Sequence, residues 1–259
     1  MVSTLINHRA LREKFAALKR KNKMAYPKIF ALIDKACFDY NLIQNGDKIL
    51  VGASGGKDST ALIEYLANRK KRPNENFDFT ALNIQSDFAL PFPDGILNLF
   101  ADWKVDFKSI NVDVLKRLKP GRKMNCWWCS TQRRKELLDF ALKNHYNKIA
   151  LGHHLDDVLE TVLMNVLNKG ELSTMPPILP YKNYPGVSII RPLYYCSEKT
   201  LIQTAKDENY FGFTCTCDYQ NNSERKTAKH LLEQLTQGDE NKKQKMLRAL
   251  KNIYPEYLP

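Results

Sequence analysis

KILVGASGGKDSTALIEYLANRK, residues 48–70, decides how the rest of the chain is read. A short apolar strand (48–54) runs into a Gly-rich turn, and the turn opens an apolar-periodic helix beginning at Asp58. Gly55 and Gly56 let backbone N–H groups approach an anion closely, and the helix N-terminus behind them adds positive potential. Ser54 and Ser59 supply hydroxyl donors, Lys57 a point charge, and Ala53 the start of the turn. Asp58 is out of place in a pure phosphate cradle; it fits one that also holds Mg²⁺ or orients the loop. The GxxxxGK[ST] spacing of a Walker A loop is not present.

Outward from this stretch the same grammar repeats. Strands are expected at 79–85, 106–112 and 148–154, alternating with helices near 94–103, 130–144 and 156–168; a further helix spans about 28–42. The alternation predicts an α/β fold, a parallel sheet with helices on both faces and ligands beyond the strand C-termini. Residues 170–200 carry five prolines and read as loop with one strand, VSIIRPL. Three regions follow: a basic helical N-terminal extension (1–29), the main domain (30–205), and a cysteine-bearing turn with C-terminal helices (206–259).

A formal charge of +12 in 259 residues, with Lys and Arg clustered at both ends and around 116–135, suits a polyanionic partner. Charge does not separate RNA from DNA. With no apolar run long enough to span a membrane and no signal-peptide pattern, the chain reads as cytoplasmic, with no membrane partner. In that compartment paired cysteines point to metal or redox chemistry rather than disulfides. Cys126 and Cys129 form a CxxC just before the helix of residues 130–143, whose Arg133 and Arg134 lower thiol pKa values; Cys215 and Cys217 follow later. The spacing alone leaves zinc, a three-cysteine [4Fe–4S] cluster and a redox dithiol open. Cys37 and Cys196 lie in apolar surroundings and read as core thiols. At GHHLDD (152–157), Gly152 and His153 suit a ligand pocket, and Asp156 is either a helix cap or a catalytic carboxylate. Trp127 and Trp128 offer either a stacking surface or core packing.

SGGKDS (54–59) resembles the PP-loop signature SGGxDS of the N-type ATP pyrophosphatases, with their adenine nucleotide alpha hydrolase-like fold. Together with CxxC followed by two arginines, KIALGHHLDD, STMPP and IIRPL, it makes the chain from about 30 to 230 resemble the tRNA thiolation enzymes that form 2-thiocytidine in the anticodon loop. That resemblance implies ATP and Mg²⁺, with adenylation of the cytidine C2 oxygen and its replacement by sulfur at a [4Fe–4S] cluster. Its ligands would be Cys126, Cys129 and Cys217, although Cys215 is displaced by one residue and Asp218-Tyr219 replaces the family's Gly-Ser. It implies nucleotide contacts from Ala53 to Ser59, Gly152 and His153, acid/base work at Asp156 with Asp58, and charge stabilisation or sulfide guidance by Arg133. The implied partners are tRNA and a sulfur donor, a cysteine desulfurase or sulfide; members of the family often pair as homodimers. Thiolation of another tRNA base, lysidine synthetase-like ligation and a zinc-bearing non-catalytic RNA-binding module are the alternatives.

Overall fold

Three consecutive fully buried residues, Ile49, Leu50 and Val51, make β1 (Lys48–Gly52) the axis of the sheet. A strand buried on both faces reads as an unbroken apolar run. The computed structural model describes residues 27–119, 121, 124–210 and 223–257. In chain order the elements are α1 (Lys28–Asp39), β1, α2 (Lys57–Arg69), β2 (Asp78–Ser86), α3 (Asp94–Asp102), β3 (Asp106–Val112) and α4 (Cys126–Lys143). Then follow β4 (Lys148–Ala150), α5 (Leu155–Lys169), β5 (Ile178–Pro180), β6 (Ser188–Ile190), α6 (Glu198–Asp207), α7 (Ser223–Thr236) and α8 (Glu240–Ala249).

The sheet order is β3-β2-β1-β4-β6-β5, parallel except for β5, which runs antiparallel at one edge. Side-chain alternation sends Ile49, Val51, Ala81, Ala150 and Ile190 into a large core covered by α1, α2, α5 and α6. Leu50, Leu82, Ile149 and Ile189 point the other way and meet Leu137, Leu138 and Ala141 of α4. The helices thus lie on both faces, as expected. From β1 the chain builds outward through β2 and β3, then returns to place β4 on the other side of β1. The C-terminal ends of β1 and β4 therefore flank the point where strand order reverses, the usual ligand crevice of such sheets.

Several expectations change. The strand expected to run to residue 154 ends at Ala150, because His154 turns away to cap α5. CxxC lies inside the first turn of α4 rather than before the helix. The proline-rich segment holds two strands, not one, and α6 follows it. The expected basic extension lies outside the described residues except at its end, as does the turn with Cys215 and Cys217. Among the described residues no helix is long and apolar enough to cross a membrane.

Candidate active site

At the C-terminus of β1 the chain leaves the sheet still tied to it: the Ala53 N–H donates to Leu82 O (2.9 Å) and Asn83 Nδ2 donates to Ala53 O (2.8 Å). The turn then closes on its own hydroxyls. The Ser54 N–H donates to Ser59 Oγ (3.2 Å), the Gly56 N–H to Ser54 Oγ (3.3 Å), and the Ser59 hydroxyl to Gly56 O (3.1 Å). Gly55 takes φ +79°, and a Cβ there would meet Pro93 Cδ at 3.0 Å, so the turn needs glycine twice over. Gly56 caps α2 with no side-chain hydrogen bond, leaving the first-turn amides to an anion. Lys57 Nζ rests between Asp58 (3.1 Å) and Glu198 (3.8 Å).

β4 brings the second half of the site against this loop. A Cβ on Gly152 would lie 3.1 Å from Ser59 N and 3.3 Å from Asp58 C, so this glycine lets the two loops touch backbone to backbone. His154 caps α5 in a capping box: its N–H donates to Asp157 Oδ2 (3.0 Å), and its side chain accepts from the Asp157 N–H. Asp157 is held again by Arg225 of α7, whose Nε also donates to Glu160 Oε2 (3.1 Å). Burial alone would raise the Asp157 carboxyl, but His154 and Arg225 outweigh it and hold it below the ordinary carboxylate range. Asp58 goes the other way: burial pushes it up against the pull of His154 and Lys57. His153 is kept neutral by burial, with a pKa of about 4, and its Nδ1 has no hydrogen-bond partner among the described residues.

Between these loops lies a cleft of about 330 Å³. Its floor is Gly52, Ala53, Ser54, Asp58 and Ser59, and Leu82, Ile84, Leu137 and Leu151 form an apolar wall. Gly152, His153, Asp157 and Arg225 make a third side, and Ser130, Arg133 and Arg134 of α4 a fourth. An apolar slot beside a ring of donors suits a purine nucleotide with its phosphates on the loop.

The expected residues are thus mostly brought together: Ala53, Ser54, Asp58, Ser59, Gly152, His153 and Arg133 line the cleft, with Gly55, Gly56 and Lys57 in the adjoining turn. Asp156 is not among them. It is buried, 4% exposed, accepting from Lys243 Nζ (2.6 Å) and the Glu198 N–H (2.8 Å), so it pins α8 and caps α6. The acid/base role expected there lacks geometric support, and the carboxylate of the pair that lines the cleft is Asp157. Arg225 and Arg134 were also missed as lining residues. Arg225 reaches Asp157 from 68 residues away, and no local pattern announces that.

Cys126 and Cys129 both fall in the first turn of α4, where the N-terminal dipole favours thiolates. Cys129 is half-buried, and Arg133 follows one turn later. This donor set fits a thiolate-ligated metal group. Cys217 lies outside the described residues. Cys37 and Cys196 are buried in the large core, and burial pushes both thiols up, Cys37 to about 11. The motif residues of STMPP and IIRPL hold one another: Arg191 donates through its N–H to Pro177 O (2.9 Å) and through its guanidinium to Pro176 O.

Comparison with known proteins agrees with this geometry. Residues 26–236 match the PP-loop domain family. A tRNA-cytidine(32) 2-sulfurtransferase of Nitrosospira multiformis is 37% identical over 243 residues, 92% of this chain and 80% of that one. The enzyme of the same name from Coxiella burnetii is 34% identical over 240 residues, covering 91% and 93%. Among solved structures, the U34-tRNA thiolase NcsA from Methanococcus maripaludis with its [4Fe-4S] cluster superposes with a TM-score of 0.71 at 21% identity, covering 90% of this chain and 80% of that one. That likeness shows the fold. With a PP-loop domain over most of its length and relatives alike across nearly all of it, the chain belongs to the PP-loop family and, within it, to the tRNA-cytidine(32) 2-sulfurtransferases.

Proposed function

We propose that this protein is a cytoplasmic, ATP-dependent tRNA sulfurtransferase that converts an anticodon-loop cytidine to 2-thiocytidine. One observation carries the reading: α4, which bears the CxxC pair, also supplies Ser130, Arg133 and Arg134 to the wall of the phosphate-loop cleft. Nucleotide activation and thiolate chemistry therefore draw on the same helix.

The C2 oxygen of cytidine attacks the α-phosphorus of ATP, the α–β anhydride breaks, and pyrophosphate leaves. Sulfur then replaces the adenylated oxygen, and AMP departs. Ser54, Ser59 and the α2 amides hold the departing pyrophosphate, and Lys57 turns from Asp58 and Glu198 to meet its charge. Asp58, whose buried Oδ1 faces the Lys57 ammonium (3.1 Å), is the carboxylate placed to hold Mg²⁺ once Lys57 turns away, which would offset its burial. Asp157, fixed and ionised, orients the base and nucleotide against each other. Arg133 and Arg134 stabilise charge that develops on the leaving AMP. Cys126, Cys129 and Cys217 would hold a [4Fe–4S] cluster, which when bound would supply the sulfur-transfer chemistry. Sulfide, or the persulfide sulfur of a cysteine desulfurase after two-electron reduction by an external reductant, provides the sulfur, and the assembly is a homodimer.

Anaerobically reconstituted protein, given unmodified tRNA, ATP·Mg²⁺ and sulfide, is expected to yield 2-thiocytidine with matching AMP and pyrophosphate. Release of ADP, or a thiolated uridine in place of cytidine, refutes the reading.

A further inference from the structure

The adjacent tryptophans of α4 have different surroundings. Trp128 packs against the smaller core, beside Met124, while Trp127 is 72% exposed. A single exposed indole is ordinary on a protein surface, so its neighbours decide whether it has a use.

Ser130, three residues on from Trp127 in the same helix, lines the cleft. Trp127, Ser130 and Arg134 are spaced i, i+3 and i+7 and so share one helix face, and both Ser130 and Arg134 line the cleft. Trp127 lies about 4.5 Å further along the axis than Ser130. Its backbone is pinned: Ser130 Oγ (2.9 Å) and Thr131 Oγ1 (2.8 Å) both donate to Trp127 O, and the Trp128 N–H donates to Asn125 Oδ1 (2.8 Å). The backbone that bears the exposed ring is thus fixed.

Charge on the same helix selects what covers it. Neighbouring cations are paired, Lys116 with Asp113, Arg117 with Glu136 and Lys135 with Asp139. Arg133 and Arg134 have no ion-pair partner among the described residues. An uncovered aromatic face beside unpaired guanidinium groups is the chemistry that binds single-stranded nucleic acid, bases on the ring and phosphates on the cations.

We propose that Trp127 is the stacking platform for a nucleobase flanking the modified cytidine. This rests on the tRNA reading above. To enter the cleft the target base leaves its stack, and its neighbour loses a stacking partner. Trp127 takes that partner's place at the rim, while Arg133 and Arg134 hold the intervening backbone.

The test uses full-length protein and a labelled anticodon stem-loop RNA with unmodified cytidine, followed by anisotropy across a salt series. Trp127→Ala is expected to weaken RNA binding about tenfold at every salt concentration, with an unchanged salt slope, because no phosphate contact is lost. Trp127→Phe is expected to bind within about threefold of the parent, since it keeps an aromatic face, but to lose the RNA-induced quenching of tryptophan fluorescence. Arg134→Gln is expected to reduce the salt slope by about one. Unchanged RNA affinity in Trp127→Ala overturns the proposal. So does loss of ATP affinity or a changed oligomeric mass in that variant, which would make Trp127 a packing or subunit contact. Binding is read without turnover: a Trp127 effect without 2-thiocytidine formation sinks only the function, and thiolation without a Trp127 effect sinks only the platform.

Discussion

Two neighbouring aspartates carry opposite duties. Asp156 and Lys243 are a buried ion pair, their side chains 6% and 7% exposed, so removing one partner strands the other. Asp156→Asn is therefore expected to lower unfolding free energy by about 3 kcal/mol or more, read from the denaturant midpoint, with activity falling only as far as folded protein is lost. Asp157→Asn should cost about 1 kcal/mol, the worth of a helix cap, yet cut thiolation at least tenfold in fully folded protein. The reverse pattern would return the chemistry to Asp156. His153 allows a second check. Its imidazole takes a proton near pH 6.5 in the unfolded chain but only near about 4 in the fold, because burial disfavours the charge. As pH falls between those values the unfolded chain binds a proton that the folded chain does not, so stability falls. His153→Gln is expected to flatten that part of the stability–pH curve; parallel curves for parent and variant would mean that the imidazole titrates normally. At this scale, what the sequence made legible was local. Gly55, Gly56, Ser54 and Ser59 act within one turn, and their spacing states their purpose. The duty of Asp156 is set by Lys243, 87 residues later, which no spacing rule reaches.

The element that matters most is α4, and it starts four residues before the sequence pattern suggests. Tryptophan and cysteine are indifferent helix formers, so CWWC reads as a turn before a helix. The signal that does start the helix is Asn125, whose side chain accepts the Trp128 N–H (2.8 Å) and so brings both cysteines into the first turn. Asn125→Ala is expected to cost about 1 kcal/mol and to lower the iron retained per chain after anaerobic reconstitution, as the first turn loosens. Ser197→Ala is the control: it uncaps α6, where Ser197 Oγ accepts the Thr200 N–H (3.2 Å), far in sequence from either cysteine. Equal iron loss in both variants would reduce the effect to general destabilisation. The other missed elements have comparable causes. β5 is three residues long, too short to show a period of two, and it forms by pairing antiparallel with β6, the strand expected within VSIIRPL. The capping box of α5 uses His and Asp where the familiar pattern has Ser or Thr with Glu.

Across the whole molecule the two faces of the sheet are unequally built, and the helix that bears the CxxC pair packs on the smaller one. The large core ties α1, α2, α5 and α6 to strands β1, β2, β4 and β6, and it includes the helix that opens the phosphate loop. The opposite face is covered by α4 through Leu137, Leu138 and Ala141, with the Tyr184 hydroxyl donating to Asp139 (2.8 Å) as one of its edge contacts. Fewer buried contacts mean a lower free energy of local opening. A metal group bridging the first turn of α4 to the segment bearing Cys217 would close that gap, since ligand binding to the folded state stabilises whatever it bridges. Hydrogen exchange with and without iron tests this. Removing iron from the reconstituted protein with a chelator is expected to speed exchange of amides in residues 126–137 about tenfold or more, while β1 and α2 amides hold their rates. ATP affinity should stay within about threefold, because the phosphate loop belongs to the large core, and nucleotide binding would then survive in protein that has lost its capacity for sulfur transfer. Uniform acceleration across both faces, or loss of ATP binding with the iron, would show instead that the two faces open as one unit and that the division between a robust nucleotide half and a metal-dependent sulfur half is false.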